Sequence, residues 1–94
     1  MTVTATLKGI VVISKAGRDK GRNFVVVAME GEFVYLCDGD LRKSDSPKKK
    51  KLKHLAVTNT VCDYIGDKIK ENKKVTNTEI RRALAEFCEK SRTN

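Results

Sequence analysis

Ninety-four residues, 39% of them apolar, provide for one small domain with a modest core. Three cysteines, Cys37, Cys62 and Cys88, are odd in number and far apart, which excludes a disulfide framework or a Cys-x-x-Cys metal site and leaves them as reduced, small apolar residues. A formal charge of +8 points to a polyanionic partner.

That charge is unevenly placed. Residues 1–60 carry 12 basic and 6 acidic groups, residues 61–94 carry 8 and 6, and Arg42 to Lys53 holds seven bases against Asp45 alone. Met1 to Lys8 has no apolar stretch fit for a signal peptide, and the longest apolar run, Phe24 to Met29, is too short for a membrane span, so a cytosolic chain is expected.

Thr2 to Leu7 alternates with period two and predicts a strand with Val3, Ala5 and Leu7 inward. Lys8-Gly9 permits a bend. Ile10 to Ser14 is a second strand, and its consecutive apolar residues predict burial on more than one side, as where a short sheet curls into a barrel. The basic turn Lys15 to Arg22 follows, bracketed by Gly17 and Gly21, and Phe24 to Met29 returns as a strand. Glu30-Gly31-Glu32 connects tightly to Phe33–Cys37, with Phe33, Tyr35 and Cys37 on one face and Val34 and Leu36 on the other.

Asp38-Gly39 has the composition of a two-residue type I′ hairpin, with Leu41 to Lys43 leaving on the partner strand, Ser44 to Pro47 breaking it, and Lys48 to Lys51 following. Lys53 to Val57 predicts a last strand, with Leu52, Leu55 and Val57 as its apolar contributors. Thr58 to Thr60 can cap a helix, and beyond it the period becomes 3.6: Val61, Tyr64, Ile65, Lys68 and Ile69 share a stripe that ends at Glu71 to Lys74. Thr76 and Glu79 have capping-box spacing and start a second helix with Ile80, Ala83, Leu84, Phe87 and Cys88 on one face. Neither helix is long enough to be stable alone, and the tail Ser91 to Asn94 is expected to fray.

Catalysis finds little support. The single histidine, His54, has no Ser or Cys companion and reads as structural or as an extra phosphate contact. Asp38 and Asp40 flank a glycine but lack the later ligands of a calcium loop. Gly17 to Gly21 has the wrong spacing for a nucleotide loop. No catalytic residue, metal or cofactor is therefore expected. Lys15, Arg18, Lys20 and Arg22 give the turn a net +3 with Asp19, which either orients Arg18 or Lys20 or caps the turn. There is no Trp, and Phe24, Phe33, Tyr35, Tyr64 and Phe87 all fall on expected buried stripes, which favours binding through phosphates over base readout. Tyr35 is the one aromatic kept as a candidate base contact.

The run Gly9 to Val27, with Gly21 at the position of a characteristic glycine after a Lys, resembles a KOW motif. Asp38 to Lys43 and Lys48 to Leu55 resemble the small ribosomal-type KOW proteins more than the elongation factors of the NusG type. The resemblance implies a mainly β fold: a small SH3-like (KOW) barrel over residues 1–59, followed by a two-helix C-terminal extension, 60–94, packed on the same domain and lying outside the motif. It further implies a non-enzymatic RNA-binding protein, associated with the ribosome or ribosomal RNA and monomeric when free. Folded or double-stranded RNA would be met by Lys15, Arg18, Lys20, Gly21, Arg22, Arg42, Lys43, Lys48, Lys49, Lys50, Lys51, Lys53 and His54. The alternative is a protein-interaction module of a transcription or translation complex, docking as NusG-type KOW domains do. The RNA reading requires the turn and the lysine run to lie side by side.

Overall fold

The computed structural model describes residues 7–92; apart from Leu7, the strand expected at residues 2–7 lies outside the described residues, as do residues 93–94 of the tail. Among these residues five strands, β1 (Ile10–Ser14), β2 (Asn23–Glu30), β3 (Phe33–Cys37), β4 (Lys48–Lys51) and β5 (Leu55–Val61), precede two helices, α1 (Asp63–Lys70) and α2 (Asn77–Arg92). Every pairing is antiparallel, in the order β4-β3-β2-β1-β5. Among the described residues no helix is long and apolar enough to cross a membrane.

Among the described residues β4 and β5 are the two edges and do not pair with each other, so the sheet they form is open. They are nevertheless joined by a single 3₁₀ turn, Leu52–His54. In a flat sheet four inter-strand gaps would hold the edges about 19 Å apart, whereas Lys51 to Leu55 reach about 14 Å even when fully extended. The sheet must therefore curl. Hydrogen bonds fix the connector at both ends: Leu52 N donates to Glu32 O (2.9 Å) and Lys15 N to His54 O (2.9 Å).

The curl creates two cores. Val12, Phe24, Val26, Val34, Leu36 and Leu55 pack among the strands themselves, inside the bend. On the opposite face Val11, Val25 and Cys37 meet Ile65 of α1, Val75, and Ile80 and Leu84 of α2. Alternate residues of β1 thus enter different cores, and the second side of its apolar run is covered by helices. Burial among these side chains pushes the Cys37 thiol up to about 11, which keeps it protonated and inert.

Sequence expectations are corrected first after β3 and then around β5. The partner of β3 is the lysine run itself, β4, so residues 38–47 form a long loop with no strand at Leu41 to Lys43. Asp38 Oδ1 accepts from the amides of Asp40 (2.9 Å) and Arg42 (2.8 Å), and this side-chain turn folds the chain back before a two-residue hairpin can close. Gly39 takes φ +78 and sits against the start of α2, where a Cβ would lie 2.5 Å from Asn77 O.

Second, Thr58 to Thr60 continue β5 and do not cap α1. Pairing with β1 shifts register there, and the Thr58 hydroxyl donates to the Val11 carbonyl (2.7 Å). Val61 consequently ends a strand, 49% exposed, and Val57 is 47% exposed instead of entering the core. Tyr64 is also out of the core, at 57%. α2 runs through Arg92.

The capping box forms as its spacing predicts: Thr76 N donates to Glu79 Oε1 (2.9 Å) and Glu79 N to Thr76 Oγ1 (3.2 Å). Glu79 Oε2 also accepts from Lys68 Nζ and Tyr64 OH, both at 2.6 Å, so one carboxylate caps α2 and fastens α1 to it. Lys68 first, then the Thr76 amide and the Tyr64 hydroxyl, hold the Glu79 carboxyl down at about 2.

Gly39→Ala is expected to cost more than about 2 kcal/mol in urea unfolding, through backbone strain and the clash with α2, whereas Gly31→Ala, at φ +61 in open space, costs about 1 kcal/mol. Because Glu79 titrates lower in the folded chain than its ordinary value of 4.5, its stabilisation is complete above that pH and is lost as the pH falls through about 2. In Glu79→Gln the urea midpoint should be lower near neutrality and should fall less steeply across that acid window.

Candidate nucleic-acid interface

The β1–β2 turn is built by its own backbone. Ser14 N donates to Arg22 O (3.0 Å) and Gly21 N to Ser14 O (2.8 Å) across its neck, while Lys20 N to Gly17 O (3.2 Å) and Arg22 N to Asp19 O (2.8 Å) form its tip. Gly21 adopts φ +88 with empty space where a Cβ would be, so its role is conformational. Lys15, Arg18, Lys20 and Arg22 are exposed around it.

Neighbouring segments converge on this turn. Lys48 pairs with Asp19, and Lys50 Nζ donates to Ser14 Oγ (2.7 Å) and Ala16 O (3.1 Å). Arg22 pairs with Asp38 at 3.3 Å, tying in the 38–47 loop, and the Lys15–His54 backbone bond brings up the 3₁₀ turn. The Lys48 ammonium, with support from Lys50 and Arg42, holds the Asp19 carboxyl below its ordinary range even though partial burial opposes this. Asp19 therefore links the turn to β4, which neither role expected from sequence describes.

Strand alternation divides the lysine run. By register Lys48 lies opposite Leu36 and Lys50 opposite Val34, so both share the inner face and extend past the core edge to the turn. Lys49 and Lys51 lie opposite Tyr35 and Phe33 on the outer face. Lys49 Nζ is 4.6 Å from the Phe33 ring centre and 3.9 Å from Glu30, and Lys51 Nζ is 5.9 Å from the same ring. The run is brought to the turn only in part.

What remains around the turn is a cationic rim. Lys15, Arg18, Lys20, Arg42, Lys43, Lys53 and His54 are exposed, and none of them enters an ion pair among the described residues. Asp19 (14% exposed) and Asp38 (8%) face Lys48 and Arg22, while Asp40 and Asp45 of the 38–47 loop are exposed and enter no ion pair among the described residues. The arrangement can bind phosphates: exposed donors surround a braced turn whose own acid, Asp19, is already engaged by Lys48. Among the described residues no group of three or more His, Cys, Asp or Glu is placed to hold a metal ion.

Sequence reasoning misses Arg81. It projects from α2 and donates to Gly39 O (2.6 Å) at the edge of the rim, and no spacing signal marks it, since it lies off the apolar stripe of its helix. Ser14 is likewise missed, a 2% exposed hydroxyl that anchors Lys50. No protein-family model matches the chain, and no curated protein matches it.

A double-mutant cycle of Asp19→Asn and Lys48→Met should return a coupling of about 0.5–1 kcal/mol in urea unfolding, with hydrogen exchange at the turn amides rising in either single variant. No coupling would remove this pair as the brace of the turn.

Proposed function

We propose that this is a non-enzymatic RNA-binding protein of the KOW type, working in the cytoplasm on folded RNA, with ribosomal RNA the class its motif favours. The observation that carries the reading is the convergence of the KOW-like turn, the 38–47 loop, β4 and the 3₁₀ turn, which leaves a rim of cations directed at solvent. Phosphates displacing counterions from such a rim would supply most of the affinity, and the shape of the folded strand most of the selectivity.

An SH3-like barrel for the strand-rich part is supported by the position of β1 between β2 and β5 and by the bend that a three-residue link between the sheet edges requires. The helical part packs on the same sheet through Ile65, Ile80 and Leu84, which supports a single domain.

A docking role on a protein of the transcription or translation machinery is favoured by one separate observation. Val57, Val61 and Tyr64 are exposed large apolar side chains on β5 and α1. Retention on ribosome-containing fractions after ribonuclease digestion would select this second reading, whereas release would select RNA.

Binding to a structured RNA hairpin should weaken with salt with a log-log slope of about 4, as for about five phosphate contacts. Arg18→Ala/Lys20→Ala/Arg42→Ala should lower affinity at least about tenfold at moderate salt and reduce the slope by about 2–3, with the thermal midpoint unchanged, since none of the three enters an ion pair among the described residues. Unchanged affinity and slope would refute the cationic rim as the contact.

A further inference from the structure

On the outer face of β3 and β4, away from the rim, two half-buried aromatic rings stand beside two lysines. Phe33 and Tyr35 are two residues apart on β3, and each is directly opposite a lysine of the edge strand: Phe33 opposite Lys51, Tyr35 opposite Lys49. Tyr35 donates its hydroxyl to Glu30 (2.8 Å), which fixes the ring, and the Lys49 ammonium rests over Phe33. α1 and α2 cover Cys37 at the far end of this face, and neither ring belongs to either core.

We propose that this face is a stacking subsite for two successive unpaired nucleotides of an RNA strand, a reading that rests on the RNA-binding function above. Each ring-and-lysine pair matches one nucleotide: the ring offers a π-face to the base and the lysine a cation to its phosphate. Residues two apart on a strand place their rings about 7 Å from each other, roughly twice the ~3.4 Å repeat of stacked bases. Successive bases can occupy both rings only where the strand is unstacked, so a continuous duplex is rejected by geometry. Lys49, with half of its side chain exposed, can leave the Phe33 ring for a phosphate as the base arrives. β4 braces the cationic turn from its inner face through Lys48 and Lys50 and borders this subsite on its outer face, which suits an RNA whose paired segment passes directly into an unpaired one.

The chain has two tyrosines and no tryptophan, so in Tyr64→Phe the emission of Tyr35 stands alone. Titrating that variant with an octauridylate should quench the emission, while a blunt RNA duplex, though bound, should leave it unchanged. In the full chain, Phe33→Leu/Tyr35→Leu should lower octauridylate affinity about tenfold or more and leave duplex affinity within about twofold. Duplex binding without quenching by the octamer, or equal losses on both probes in a variant whose thermal melt stays cooperative, would overturn the stacking subsite and leave the phosphate rim standing. If neither RNA binds the wild-type chain, the RNA reading itself falls, and the subsite with it. Should the double variant not fold, the quenching experiment decides alone.

Discussion

The structure depends on the shortness of Leu52–His54. Strands that occupy opposite edges of a five-stranded sheet are separated by one helical turn of chain, and no flat sheet can satisfy that link. Bending the sheet satisfies it, and the bend encloses Val12, Phe24, Val26, Val34, Leu36 and Leu55 without help from any helix. The same bend brings the inner face of β4 across to the β1–β2 turn, within reach of Lys48 and Lys50. The cationic rim is thus a consequence of how the edges are joined, as much as of where the basic residues lie in the sequence.

Bending leaves the outer face of β1, β2 and β3 apolar, and this is what the two helices cover. At eight residues α1 would not persist alone. Their junction is secured by Glu79, whose two oxygens are divided between capping α2 and holding Lys68 and Tyr64 of α1. The cover also reaches the rim. The Asn77 side chain accepts from Ser44 N (2.7 Å), and Arg81 donates to Gly39 O (2.6 Å), so the N-terminal end of α2 shapes the 38–47 loop. Gly39 is required there because the helix backbone occupies the space of any side chain.

Much of this was legible in the sequence where the signal was local. The strands Ile10–Ser14 and Phe33–Cys37, the glycine-bracketed turn and the capping box at Thr76 and Glu79 each rest on a few adjacent residues, and each forms. The errors arise where tertiary context overrides local preference. Four successive lysines have poor strand propensity, yet they complete the edge of β3 because the stems of Lys48 and Lys50 extend past the core while their ammonium groups reach the turn. Thr58 to Thr60 have the composition of a cap, but the Val11 carbonyl, left over at a register shift, takes the Thr58 hydroxyl. Tyr64 fits a helical stripe by spacing, yet its ring lies outside the cover, with the Lys68 ammonium 5.1 Å from its centre and its hydroxyl on Glu79.

A run of like charge is commonly treated as one electrostatic object, and β4 is a counterexample. Alternation sends its lysines to two faces with different neighbours, and their ammonium groups are consequently not equivalent. Lys48 and Lys50 are committed to Asp19, Ser14 and Ala16, so removing them would disturb the turn before it altered any contact with a phosphate. Lys49 and Lys51 rest over an aromatic ring and are more readily redirected. The cations left open to solvent are instead those outside the run, Lys15, Arg18, Lys20, Arg42, Lys43 and Lys53, which enter no ion pair among the described residues. Removing Lys48 or Lys50 would thus measure the integrity of the turn, whereas removing Arg18, Lys20 or Arg42 would measure the surface it presents.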